Sequence, residues 1–240
     1  MLYFDNVSVV YPDGTSAISG INLKITGGER VALIGANGAG KTSLMLAMMG
    51  VIPSCGTITV DGISLGKKTI HEVRSRIGMV FQNPDDQLFM PSIYDDIAFG
   101  LRNMGISEDE VERRAIDCLS SLNIGHLRNK TALNLSGGEK RVAALATVLV
   151  MEPLVMAFDE PSVFLDPKAR RNLINILNTL PQTKIIATHD MTFAEETCDR
   201  CVLLKGGAIF ADGPACELLY DGELMDECGM EAIKKCGISQ

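Results

Sequence analysis

Residues Gly35-Ala36-Asn37-Gly38-Ala39-Gly40-Lys41-Thr42 match the pattern G-x-x-x-x-G-K-[ST]. They lie between a strand pattern, Val31 to Ile34, and a helix pattern, Thr42 to Gly50. The glycines let the backbone wrap closely around phosphate oxygens, with its N–H groups turned inward. The helix that follows adds its positive N-terminal end. Lys41 supplies a point charge for the β- and γ-phosphates, and Thr42 places a hydroxyl on Mg²⁺. This segment predicts a nucleoside-triphosphate site on an α/β sheet.

The same architecture continues on both sides. Val155 to Phe158 is a buried-strand pattern ending in Asp159-Glu160, and ligands of α/β sheets gather at such strand ends. Asp159 is the expected Mg²⁺ partner, and Glu160 the general base toward an attacking water. Further strands are expected at Thr57–Val60, Ile77–Phe81, Lys184–Ala187, Cys201–Leu204 and Ala208–Phe210. Helices are expected at Ile93–Arg102, at Glu108–Leu122 and onward from Ser136. Ser107 to Glu110 reads as a capping box for the second of these. Strands alternating with helices imply a mostly parallel sheet. The first 26 residues, with a turn at Pro12-Asp13-Gly14, suggest an antiparallel portion. The expected layout is a single domain over 1–240. Its body is formed by 1–82 and 152–240, and 83–151 is an inserted helical subdomain.

Composition narrows the function classes. The 240 residues carry a net charge of −8, which argues against nucleic acid as a partner. Hydrophobic residues at 46% and charged residues at 22% are ordinary for a protein with a real core. The most apolar run, Ala143 to Met151, is too short to span a bilayer. The N-terminal residues lack the pattern of a signal peptide, so a cytosolic chain is expected. Seven cysteines, an odd number, read as plain thiols rather than a disulfide framework.

Leu135-Ser136-Gly137-Gly138-Glu139 makes the reading more specific. Ser136 is a good N-cap, Glu139 completes a capping box, and the glycines let a ligand approach the helix end. With this segment between the phosphate loop and the Asp159-Glu160 pair, the chain resembles the ATP-binding cassette family over nearly its whole length. The resemblance implies a P-loop ATPase fold with an N-terminal antiparallel portion and an inserted helical subdomain. Two copies would sandwich two ATP molecules, the phosphate loop of one facing Ser136-Gly137-Gly138 of the other. Gln82 matches the glutamine that contacts Mg²⁺ or water and links to the membrane partner. Asp166 matches the residue facing the other protomer. His189 matches the switch histidine near the γ-phosphate, and Tyr11 the aromatic that stacks on adenine.

Phe81 to Gly100 and Ser136 to Pro153 look most like the ATPases of energy-coupling-factor importers, cobalt/nickel branch. That resemblance implies a transmembrane coupling subunit, a substrate-binding membrane subunit, and a homodimer or a heterodimer with a paralogous ATPase. It also implies a peripheral position on the cytoplasmic face of the cell membrane. Asp85-Asp86 are expected to receive an arginine from the coupling subunit. Vitamin or other transporters, and a soluble cassette of the iron–sulfur assembly type, are the alternatives. The sequence departs from the family at Val163-Phe164, where small residues are usual, and at Val142, where a basic residue is common.

Overall fold

The computed structural model describes residues 1–234. Cys236 and the end of the expected 1–240 domain lie outside the described residues. The chain opens with β1 (Leu2–Val10) and β2 (Ser16–Ile25), joined through the Pro12-Asp13-Gly14 turn. Next come β3 (Arg30–Ile34), α1 (Lys41–Met48), β4 (Cys55–Val60), β5 (Ile63–Ser64), α2 (Ile70–Arg74) and β6 (Ile77–Val80). A helical run follows: α3 (Ile93–Asn103), α4 (Glu108–Ser121) and α5 (Gly137–Leu149). The chain then alternates through β7 (Val155–Asp159), α6 (Pro167–Thr179), β8 (Thr183–Ala187), α7 (Met191–Thr197) and β9 (Arg200–Lys205). It closes with β10 (Ala208–Pro214), α8 (Ala215–Leu218) and α9 (Gly222–Glu227).

Two sheets result. Strands β2-β1-β4-β5 form an antiparallel sheet. The larger sheet runs β10-β9-β3-β8-β7-β6, parallel except for β10 at its edge. Every residue of β6, β7 and β8 is buried, as strands covered on both faces require. Alternate residues feed separate apolar clusters. Val31, Leu33, Val155 and Ala157 join α1 and the antiparallel sheet. Ala32, Ile34, Met156 and Phe158 join α3, α4, α5 and α6. The helical run thus shares a core with one face of the large sheet.

Of two expected capping boxes, one forms and one does not. The capping box at Ser136 forms, with Glu139 returning to the Ser136 backbone. The one expected at Ser107 does not, because Ser107 makes no side-chain cap bond. Glu110 turns instead to Arg113 and Arg114, 2.6 and 2.7 Å away, which hold its carboxyl at about 2. The sequence reading assigned no helix to α6 or α7. Both carry the ordinary start signal, an N-capping aspartate at Asp166 and Asp190.

Candidate active site

Four neighbouring strands deliver the chemistry to one edge of the large sheet. In spatial order, β3 runs into the phosphate loop, β8 into Thr188-His189, β7 into Glu160, and β6 into Phe81-Gln82. Parallel register aligns these ends: Leu33 faces Ala187, Ala187 faces Asp159, and Phe158 faces Val80. A buried strand leaves no freedom of register, so the functional residues beyond it are held in place.

Two glycines of the loop are required by close approach. A Cβ at Gly35 would meet the Leu204 carbonyl at 2.4 Å, and one at Gly40 the Ala17 carbonyl at 2.5 Å. Gly40 also takes φ 103°, outside the range of ordinary side chains. Lys41 opens α1 and is 7% exposed. Its Nζ donates to the carbonyls of Gly35 and Ala36 at 2.6 and 3.3 Å. Burial lowers the Lys41 pKa, against the pull of Glu160 and Asp159. The Thr42 hydroxyl donates to Asp159 Oδ2 at 2.9 Å. Burial raises the Asp159 pKa, Thr42 offsets this, and the neighbouring Glu160 charge adds to it.

Glu160 and His189 meet at the mouth of this arrangement. His189 Nδ1 lies 2.8 Å from Glu160 Oε2, and the His189 backbone N–H donates to the same oxygen at 3.3 Å. Glu160 sits at φ 45°, a left-handed backbone that a bulky residue adopts only under constraint. The Glu160 N–H donates to the Ala187 carbonyl at 2.8 Å, fixing it to β8. Tyr11 closes the far side, its hydroxyl 3.0 Å from Ser43 Oγ. A cavity of about 440 Å³ is bounded by Tyr11, Asn37, Gly38, Ala39, Gly40, Lys41, Thr42, Gln82, Asp159, Glu160 and His189. Gly35 and Ala36 line an adjoining cavity on the other side of Asn37 and His189.

The remaining expected residues stand elsewhere. Ser136 caps α5, and its hydroxyl is held by Glu139 at 2.8 Å. Gly137 borders a second cavity, of about 470 Å³, together with Gln82, Arg141, Asp159, Val163 and Phe164. Neither Ser136 nor Gly138 lines the cavity at the phosphate loop. Asp166 caps α6 by accepting from the Lys168 and Ala169 N–H groups, both at 2.9 Å. The α5 end thus borders the neighbouring cavity and not the one at the phosphate loop.

The departures from the family pattern also find places. Val163 lines the cavity at the phosphate loop, while Phe164 is 95% exposed at φ 62°. Val142 is buried, and the neighbouring Arg141 turns inward to the carbonyls of Phe81 and Gln82. The sequence reading missed that role. A basic residue opening the uninterrupted buried run 141–148 was the visible signal. Asp85 is half exposed, and Lys140 Nζ lies 2.6 Å from its Oδ1. Asp86 accepts from the Asn83 side chain.

The oxygen donors fit a hard divalent ion. A hydroxyl (Thr42), a carboxylate (Asp159) and an amide (Gln82) converge on one cavity, which is the donor chemistry Mg²⁺ prefers. Among the described residues the buried Asp159 carboxylate has the Thr42 hydroxyl as its one hydrogen-bonding partner, with the Lys41 charge nearby, and its remaining oxygen is available to a cation.

Comparison with known proteins agrees with this geometry. The family described as ABC transporter matches residues 18–163. A Geobacter sulfurreducens protein provisionally named an ABC transporter ATP-binding protein is 46% identical over 92% of this chain and 89% of its own. The energy-coupling factor transporter ATP-binding protein EcfA of Methanothermobacter thermautotrophicus is 41% identical over 94% of this chain and 74% of its own. Among solved structures, cbiO1 of Clostridium perfringens, described as part of the ABC transporter complex cbiONQ, superposes with a TM-score of 0.82. It is 37% identical, covering 94% of this chain and 93% of that one. The dimeric cassette MJ0796 bound to ADP and Pi gives a TM-score of 0.80 at 25% identity, over 90% and 99%. With its phosphate loop, its acidic strand end and its capped signature helix in place, this chain belongs to the ABC transporter family as an ATP-hydrolysing cassette.

Proposed function

We propose that this chain is the ATPase of an energy-coupling-factor importer, works as a pair of cassettes, and powers uptake of cobalt or nickel ions. The observation that carries the catalytic part is the Glu160–His189 contact of 2.8 Å beside Lys41, Thr42 and Asp159. In this reading the amides of 36–41 and the Lys41 ammonium bind the β- and γ-phosphates. Tyr11 stacks on adenine, its ring pinned by Ser43. Glu160 takes the proton of the attacking water. His189, donating from Nδ1, holds that carboxylate in place and leaves Nε2 free toward the γ-phosphate. Mg²⁺, held by Thr42, Asp159 and Gln82, would neutralise charge on the phosphate oxygens. Ser136, Gly137 and Gly138 complete the site of the partner cassette, with Asp166 at the boundary between the two. The dimeric structure of MJ0796 and the absence of 136–138 from the lining of the phosphate-loop cavity both support this pairing.

The membrane side of the proposal rests on a groove of about 730 Å³ between β6, α3 and α5. Its rim exposes Phe89 (64%), Phe99 (40%) and Met104 (45%), and the two rings pack edge to face at 5.2 Å. Aromatic and methionine side chains around an open apolar groove suit an amphipathic helix of a membrane subunit. Among the described residues no helix is long and apolar enough to cross a membrane. We place residues 83–151 as a helical subdomain that carries this groove, with the cassette docked on the cytoplasmic face. The cobalt or nickel assignment is supported by the resemblance of 81–100 and 136–153 to that branch and by the likeness to cbiO1.

The test has two parts. Glu160→Gln should lower steady-state ATP hydrolysis by about 10²–10⁴-fold while ATP-dependent dimers still form on a sizing column; turnover near the parental rate refutes the general base. Deleting the gene in its host should abolish uptake of radiolabelled cobalt or nickel. Lost uptake of a vitamin instead would reassign the cargo.

A further inference from the structure

Arg141 lies on the second turn of α5 and is 2% exposed. Among the described residues no carboxylate pairs with it. Its Nη1 and Nη2 donate to the carbonyls of Phe81 and Gln82, both at 2.7 Å, and its Nε has no partner. A buried cation without a counter-charge is costly and gives no stability argument for its own presence. The two carbonyls it grips flank the point where the chain leaves β6 for the loop carrying Gln82. Gln82 itself borders both the phosphate-loop cavity and the neighbouring one. Two weaker ties flank the grip. Lys140 Nζ reaches Asp85 at 2.6 Å, and the Gln87 amide donates to the Ala144 carbonyl and Thr147 Oγ1 at 2.8 and 2.7 Å.

We propose that Arg141 is a positioning residue for hydrolysis: its planar fork sets the Gln82 backbone, so that Gln82 and the Ser136 end of α5 keep one relative pose. The proposal rests on the reading of Gln82 as a residue of the nucleotide site. It makes α5 the element through which engagement of Gln82 by nucleotide sets the end presented to a partner cassette.

The fork is the discriminating feature. Lysine keeps the charge and much of the stem but cannot hold two carbonyls in one plane. Arg141→Lys and Arg141→Met, in the full chain with ATP and Mg²⁺, should each lower kcat at least about tenfold, with the KM for ATP changed less than about twofold. Hydrogen exchange of the amides at 82–88 in the nucleotide-free protein should quicken in Arg141→Lys, while β7 and β8 stay protected. In the double variant Arg141→Lys with Gln82→Ala, the two losses should not multiply. Parental kcat in Arg141→Lys, unchanged exchange at 82–88, or losses that multiply would overturn the role of Arg141 alone. Parental kcat in Gln82→Ala would overturn the reading of Gln82 and the proposal with it.

Discussion

Glu160 and Phe164 both hold left-handed backbones, at φ 45° and 62°, within one loop. At Glu160 the conformation brings the carboxylate to His189. At Phe164 nothing in the structure accounts for the aromatic ring, which stands 95% exposed. Phe164→Gly should therefore raise the stability of the isolated chain by about 0.5–1 kcal/mol, read as a higher melting temperature, because glycine adopts this backbone without strain. Asp159 makes the opposite kind of sacrifice. Burial raises its pKa above the ordinary value. A carboxyl raised in this way favours the fold below its ordinary pKa and loses that contribution as pH rises through the raised value. Above its ordinary pKa the group is thus a cost to the empty protein. Asp159→Asn should raise the melting temperature of nucleotide-free protein at neutral pH, and the gain should disappear below about pH 4. A gain of equal size at both pH values would contradict this origin. The phosphate loop, Asp159-Glu160, His189 and Ser136 could be singled out because each lies in a short contiguous pattern of the chain, although the contacts between them join distant segments. Arg141 was not, since a sequence does not tell which way a basic side chain on a buried helix turns.

Among the elements, the strands were the most legible, because β3, β6, β7 and β8 are buried on both faces and each carries a short apolar run, preceded in β8 by Thr183 and Lys184. Helix α6 escaped because its apolar contribution is narrow: only Leu173, Ile174 and Leu177 are buried. The contrast between two capping boxes shows how local competition decides such motifs. Glu139 has no arginine three or four residues on along α5, Arg141 turning inward instead, and returns to Ser136, whereas Glu110 has Arg113 and Arg114 at those positions. Helix α3 presents the groove aromatic Phe99, and Phe89 lies just before it. Phe89→Asp should abolish co-purification with a membrane subunit, while ATP hydrolysis by the isolated cassette stays within about twofold of parental; Phe89 is exposed and its loss leaves the core intact. Retained co-purification would move the docking site elsewhere.

For the whole molecule, the large sheet is a partition with an apolar cluster on each side. Phe158, fully buried, reaches the helical side, and Phe158→Ala would cost about 3–5 kcal/mol. The cysteines follow the same division of inside from outside. Burial pushes the Cys118, Cys198 and Cys201 thiols up to about 12, so they are unreactive fillers of the core, as the sequence reading expected of plain thiols. The order of strands in the sheet, by contrast, was not readable from the chain, because neighbours such as β3 and β8 are joined only by contacts distant in sequence.

The separate cavities bordered by the Lys41 loop and by the start of α5 have a genetic corollary. In the proposed pair, each reaction centre draws one half from each chain. A Lys41→Ala copy and a Ser136→Arg copy should each be inactive alone. Mixed, they form some pairs in which one centre inherits both defects and the other inherits none. Hydrolysis should reappear on mixing two dead proteins, at about a quarter of the wild-type rate for equal amounts and random pairing. In a cell carrying both alleles, two loss-of-function copies would complement each other within a single gene.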